Sequence, residues 1–163
     1  QYDAKFIFEE VGYMLEPSEI GCAYGLEQLK KLETFTKRRD EVTQRHLDFF
    51  SKYSNFFEIP KMNANVNSSW FAFPLIVKEK APFTRTDLQI FLEERNIQTR
   101  VIFTGNIIRQ PAFKGIEKKV SKDGYPVADR VMARGFLLGN HHGLTEEMIE
   151  HVHKSVDIFI KNY

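Results

Sequence analysis

Apolar residues recur along this chain with two periods, and the switches between them mark out its elements. Lys5 to Val11 reads as a short extended apolar piece. Glu16-Pro17 then opens a helix, because proline pre-sets φ in a first turn, and Ser18 to Lys31 continues it. From Leu32 the spacing becomes regular. Leu32, Phe35, Val42, Phe49, Tyr53 and Phe56 fall on one stripe of period near 3.5, with Arg39 and His46 in the same register. This predicts an amphipathic helix of roughly seven turns, ended by Ile59-Pro60. So long a helix reads either as an arm bracing something else or as a helix packed on its own domain, and periodicity leaves both open.

Beyond a polar loop over Asn63–Ser69, Trp70–Lys78 reads as a strand. Thr84 with Asp87 three residues on resembles a capping box. It starts a helix through Arg95 with Leu88, Phe91 and Leu92 inward, and Asn96 is suited to a left-handed stop. Gln98–Phe103 is a second strand, in which Val101, Ile102 and Phe103 read as buried. Gly105–Gly124 is loop, Tyr125–Arg134 a short helix and Phe136–Leu138 a third strand. Thr145–Asn162 is a helix with Leu144, Met148, Val152, Val156, Phe159 and Ile160 apolar. The order predicts an α+β fold, a small sheet with helices packed on it.

Composition narrows the function. With 163 residues, 42% of them hydrophobic and 15 Phe, the chain can bury one core. Lys and Arg (23) nearly cancel Asp and Glu (22), which argues against nucleic acid as a partner. The basic cluster Lys114, Lys118, Lys119 and Lys122 reads as a solvated edge. A single cysteine, Cys22, excludes an internal disulfide and fits a reducing compartment, with Cys22 itself read as a small core residue. No apolar run approaches bilayer length. The opening Gln1-Tyr2-Asp3 has no initiator Met, and the chain is expected to be the carboxy-terminal part of something longer.

Three spots place polar groups among apolar ones. Gly12-Tyr13-Met14-Leu15-Glu16-Pro17 precedes a helix N-terminus, where an anion could bind; it could equally be an ordinary turn. In Thr99–Pro111, Arg100 and Arg109 flank a Gly105-Asn106 turn at a strand end, where guanidinium forks suit phosphate or carboxylate. The alternative is a structural arginine paired with a carboxylate. Gly139-Asn140-His141-His142-Gly143 carries adjacent histidines, expected to point apart and therefore to make a poor metal clamp. His151 and His153, two apart on a helix, should face different ways. No G-x-S-x-G, H-E-x-x-H, phosphate-binding loop or dinucleotide fingerprint is present.

Over essentially its whole length the chain resembles the DegT-type sugar aminotransferase and dehydrase family, pyridoxal-phosphate (PLP) enzymes of the aspartate aminotransferase fold. The resemblance rests on Gly12-Tyr13-Met14, Gly25-Leu26-Glu27-Gln28-Leu29-Lys30-Lys31-Leu32, Ser69 to Leu75, Thr99 to Pro111, and Asn140-His141-His142-Gly143. The last two are similar to the subgroup that removes the 3-hydroxyl of a nucleotide-linked 4-keto-6-deoxy sugar. It implies a cytoplasmic homodimer making deoxysugars for lipopolysaccharide or other surface polysaccharide. Residues 1–31 would end a large PLP-binding domain, 32–58 form a connecting helix and 59–163 a small α+β domain. Arg100, Asn106, Arg109, His141 and His142 would bind substrate, and Tyr13 and Met14 would lie at the partner subunit's cofactor phosphate. Met14 stands where the family usually has asparagine. The Schiff-base lysine or histidine, and the ligands of an iron–sulfur cluster found in some 3-dehydrases, would lie before Gln1, so the piece alone should be inactive. Ordinary transamination on the same fold, or a non-catalytic ligand-binding module, are the rival readings.

Overall fold

The computed structural model describes residues 10–163, so most of the extended piece expected over Lys5–Val11 lies outside the described residues. The chain divides into two compact units, one running up to Glu33 and the other Thr34–Tyr163. In the first unit, helix α1 spans Glu19–Leu29, capped by Ser18, whose Oγ accepts from Gly21 N at 3.1 Å. Pro17 therefore sits one residue outside the cap and not in the first turn. No side chain of α1 is buried, and Cys22 is exposed, which corrects its reading as a core residue.

Helix α2 spans Leu32–Ser51 and buries Val42, Thr43, His46, Phe49 and Phe50. The predicted register holds at Val42, His46 and Phe49, but Leu32 is exposed, Thr43 and Phe50 are buried beside the stripe, and the helix is shorter. Past Ser51 the backbone tightens into turns, with Tyr53 N donating to Phe50 O at 3.0 Å and Phe56 N to Tyr53 O at 2.9 Å. This frees Phe57–Glu58 to become strand β1, which pairs antiparallel with Ile76–Val77. A distant strand partner thus ends the helix before Ile59-Pro60 can.

Strand β2 is Ala72–Val77, helix α3 Arg85–Glu93, strand β3 Arg100–Val101, helix α4 Pro126–Arg134, strand β4 Gly135–Gly139 and helix α5 Glu146–Ile160. Among the described residues the strands form one antiparallel sheet in the order β1-β2-β4-β3. In β2, Phe73, Leu75 and Val77 alternate inward. Pro74, with no N–H to give, opposes Leu137 of β4 and lies beyond the reach of β1, which covers only Ile76 and Val77. Phe50, Phe57 and Phe73 join Phe136, Leu75, Leu88, Leu92 and Leu138 in a core of fully buried side chains, each contributing about 1.5–3 kcal/mol.

Helix α3 has the predicted capping box, with Thr84 and Asp87 exchanging side-chain and backbone hydrogen bonds, and Asn96 stops it at φ 60°. Helix α5 docks on both α2 and α3. Arg38 Nη2 donates to Leu144 O at 2.7 Å and Glu146 Oε1 at 2.9 Å, Tyr53 bonds Asp157, and Phe91 meets Phe159 with ring centroids 5.1 Å apart. His153 turns inward to His46, Nε2 to Nδ1 at 3.0 Å, while His151 reaches Arg95 O at 2.9 Å, so the two face apart as expected.

The strand expected over Gln98–Phe103 shrinks to Arg100–Val101. Val101 is 49% and Phe103 82% exposed, which overturns their reading as buried. Lying at the sheet edge, β3 has no strand on its outer side among the described residues. The chain turns away through Phe103 N to Val101 O (2.8 Å) and Gly105 N to Ile102 O (3.0 Å), with Phe103 itself at φ 46°. Among the described residues no helix is long and apolar enough to cross a membrane.

Candidate functional site

The turn after β3 gathers two of the nominated residues around a third that sequence did not single out. Gly105 sits at φ +62°, close against Met132 of α4, where an added Cβ would meet the Met132 side chain. This close approach brings the next residue under α4. Asn106 is buried; its Oδ1 accepts from Ile108 N at 3.3 Å and so caps a short 3-10 turn, Ile107–Arg109, while its Nδ2 donates to Asp129 Oδ1 at 2.8 Å. Arg109 then grips the same carboxylate with Nε to Oδ1 at 3.0 Å and Nη2 to Oδ2 at 2.9 Å. Hydrogen bonds from Arg109 and then Asn106 hold the Asp129 carboxyl below the usual carboxylate range, and the Asp129 bond raises Arg109 further. The structural-arginine alternative therefore describes what Arg109 does in this chain. It still leaves part of the guanidinium open. Arg100, opposite Leu137 on β3, is exposed and borders a shallow cavity of about 440 Å³ with Gln89, Glu93 and Thr99.

The loop after β4 forms the second cluster. Asn140 is buried, and its Nδ2 donates to Thr43 Oγ1 at 2.8 Å and Trp70 O at 2.7 Å, so one amide ties the loop to α2 and to the entry of β2. The two histidines that follow do not point apart. Their ring centroids are 3.9 Å from each other, because His142 lies flat on Phe35 (3.6 Å, 15°) and His141 is folded back by Gly143 N, which donates to its Nδ1 at 3.0 Å. His142 Nδ1 is buried without a partner. Desolvation, then His141 and Arg39, lower its pKa below the ordinary histidine value. Among the described residues no three His, Cys, Asp or Glu groups are gathered to hold a metal ion.

The register of β4 separates these clusters. Arg100 faces its middle, the Asn106 turn packs where it begins and His141 follows its end, across roughly 13 Å of strand. Tyr13 and Met14, in the other unit, are almost fully exposed.

The profile of the DegT/DnrJ/EryC1/StrS aminotransferase family matches residues 1–157. The chain belongs to that family. DegT-family relatives include the dTDP-4-dehydro-2,6-dideoxy-D-glucose 3-dehydratase of Saccharopolyspora spinosa, 35% identical over 98% of this chain and 34% of its own length. The lipopolysaccharide biosynthesis protein RfbH of Salmonella typhimurium is 34% identical over 93% of this chain and 34% of its own. Among solved structures, E. coli GDP-4-keto-6-deoxy-D-mannose-3-dehydratase with bound hydrated PLP superimposes with a TM-score of 0.84 at 29% identity, covering 95% of this chain and 39% of that one. The chain thus spans about a third of the length of the curated relatives it matches. Its α+β fold is a portion of the PLP aminotransferase fold.

A DegT-family cofactor phosphate would meet an uneven donor set at the first spot. The Tyr13 phenol can donate one hydrogen bond to a phosphate oxygen, while the Met14 thioether can donate none. Tyr13 fits the group and Met14 does not. Asp129 and Phe35 complete the two clusters and escaped the sequence reading. The available signals were an acid in the first turn of a predicted helix, and an aromatic on the apolar stripe.

Proposed function

We propose that these residues belong to a longer PLP-dependent enzyme that removes the C3 hydroxyl of a nucleotide-linked 4-keto-6-deoxy sugar, on the way to lipopolysaccharide or another surface polysaccharide. The observation that supports this best is the match, over nearly the whole chain, to a protein named as a nucleotide-sugar 3-dehydratase. On this reading residues 1–31 end the large domain, 32–58 connect, and 59–163 form the small domain of a cytoplasmic homodimer. Tyr13, with Met14 beside it, approaches the cofactor phosphate of the partner copy. PLP supplies an electron sink next to the C4 carbonyl, which eases loss of the neighbouring hydroxyl.

This chain's own part is to bind and orient. The open side of the Arg109 guanidinium donates to an anionic part of the substrate, with Asn106 holding the turn that presents it, and Arg100 adds positive charge nearby on β3. His142, flat on Phe35, presents an imidazole that can accept or donate a hydrogen bond beside His141.

Transamination on the same fold is the second reading, favoured by the family's description as aminotransferases. Mass spectrometry of a nucleotide-linked 4-keto-6-deoxy sugar incubated with the full-length protein, PLP and an amino donor separates the two. Replacement of the C3 hydroxyl by hydrogen, with the amino donor oxidised to its keto acid and ammonia released, supports C3 deoxygenation. Exchange of the carbonyl oxygen for an amino group supports transamination, and binding without turnover would leave a non-catalytic module.

A further inference from the structure

Asp129 is used more fully than an exposed ion pair requires. Its Oδ1 accepts from both Asn106 Nδ2 and Arg109 Nε, and its Oδ2 from Arg109 Nη2. Asn106 is itself immobilised, buried beneath α4 with its Oδ1 held by the Ile108 amide. The guanidinium is therefore clamped along its Nε–Nη2 edge to a carboxylate that is in turn clamped to the backbone turn. The other edge, Nη1 with the second hydrogen of Nη2, has no partner among the described residues, and the Arg109 side chain is 58% exposed. A bidentate pair of this geometry adds modestly to stability, and it also fixes the direction in which the free edge of the guanidinium points.

We infer that Asp129 is a positioning residue: with Asn106 it fixes Arg109 so that the open Nη edge receives one oxyanion of the ligand, namely the diphosphate of a nucleotide sugar. The identity of the ligand rests on the function proposed above; the clamp does not. Two effects compete. The carboxylate cancels the charge of the guanidinium, which would weaken anion binding if charge alone mattered. Holding a long side chain in the binding geometry removes the rotamer freedom it would otherwise lose on binding, which strengthens it. Because the open edge keeps two N–H donors aimed in one direction, positioning is the larger effect, and the two effects have opposite signs.

The test is calorimetric titration of the full-length protein with GDP and with dTDP, alongside KM and kcat for the sugar. Asp129→Asn would turn an amide donor toward Arg109 Nη2, and should weaken binding of at least one diphosphate about tenfold, raising KM while kcat stays put. Asp129→Glu keeps the charge but displaces the carboxylate by one methylene, and should weaken binding likewise, which also covers the case in which the Asn variant fails to fold. In an Arg109→Lys background, where no fork exists to be held, Asp129→Asn should cost nothing more. Binding by Asp129→Asn equal to or tighter than wild type overturns the inference. So does wild-type binding by Asp129→Glu, an additive loss in the Arg109→Lys background, or failure of the wild type to bind either diphosphate. Should the sugar not be converted while these binding shifts appear, the proposed reaction fails and the role of Asp129 stands.

Discussion

Acid should destabilise the domain through the buried His46–His153 pair, well before its carboxylates are protonated. His46 is 1% exposed, its Nδ1 lies 3.0 Å from His153 Nε2, and the Phe73 ring is 5.0 Å away. Burial first, then His153 and, more weakly, Arg45 lower its pKa from 6.5 to about 4, opposed by the Gly139 backbone. His153 is also lowered to about 4, by desolvation, Arg45 and Lys52, with Asp157 opposing. Above pH 6.5 both rings are neutral folded or unfolded, and stability does not respond to pH. Between 6.5 and about 4 the unfolded chain takes up protons that the folded one refuses, so stability falls as pH falls. At about 1.36 kcal/mol per pH unit, His46 alone accounts for about 2 kcal/mol by pH 5 and about 3 kcal/mol by pH 4. His153 is more exposed and coupled to the same proton, so it adds less than its own share. His142, also lowered, adds in the same direction. Urea unfolding followed by far-UV circular dichroism at pH 7, 6 and 5 measures the slope, and His46→Leu should remove most of it. A flat profile from pH 7 to 5 in the wild type, or an unchanged slope in His46→Leu, would show that the pair is not buried as a neutral unit.

Three further changes probe the frame around the site. Gly105→Ala forces a side chain into φ +62° against Met132, and should cost about 1–3 kcal/mol, read as a lower urea midpoint. Thr84→Ala removes the capping box of α3 and should cost about 1 kcal/mol by the same measurement, with no effect on nucleotide binding in the full-length protein. Leu75→Ala, at a position with no exposure in the middle of β2, should cost about 2–5 kcal/mol, read as a lower midpoint in thermal or urea unfolding.

Much of this structure was legible where a local rule decided it. The Val42, His46 and Phe49 register of α2, the Thr84–Asp87 box and the Asn96 stop appear as read from spacing. What was not legible depends on partners far along the chain. The stripe read through Phe56 runs past the end of α2, and only Val77, twenty residues on from Phe57, makes that segment a strand. Val101 and Phe103 look like core residues, yet β3 is an edge, a fact set by strand order and not by composition. At the site, Asn106 and Arg109 were visible because they follow a Gly-Asn turn. Asp129 belongs to another element, and no fixed spacing links an acid in a helical first turn to a turn twenty residues earlier. The His141–His142 geometry was missed because Phe35, which draws one ring onto itself, lies on α2.

The grip of α5 on α2 also constrains when the protein can fold as it is made. Arg38, His46 and Tyr53 have their partners at Leu144, Glu146, His153 and Asp157, more than one hundred residues later. Pairing across such separations is slow, because the long loop must close before any contact rewards it. While ribosomes deliver the intervening residues, α2 presents a bare apolar stripe with nothing to cover it. Until α5 has cleared the exit tunnel the nascent chain is exposed to aggregation, and a chaperone that shields that stripe would raise its yield.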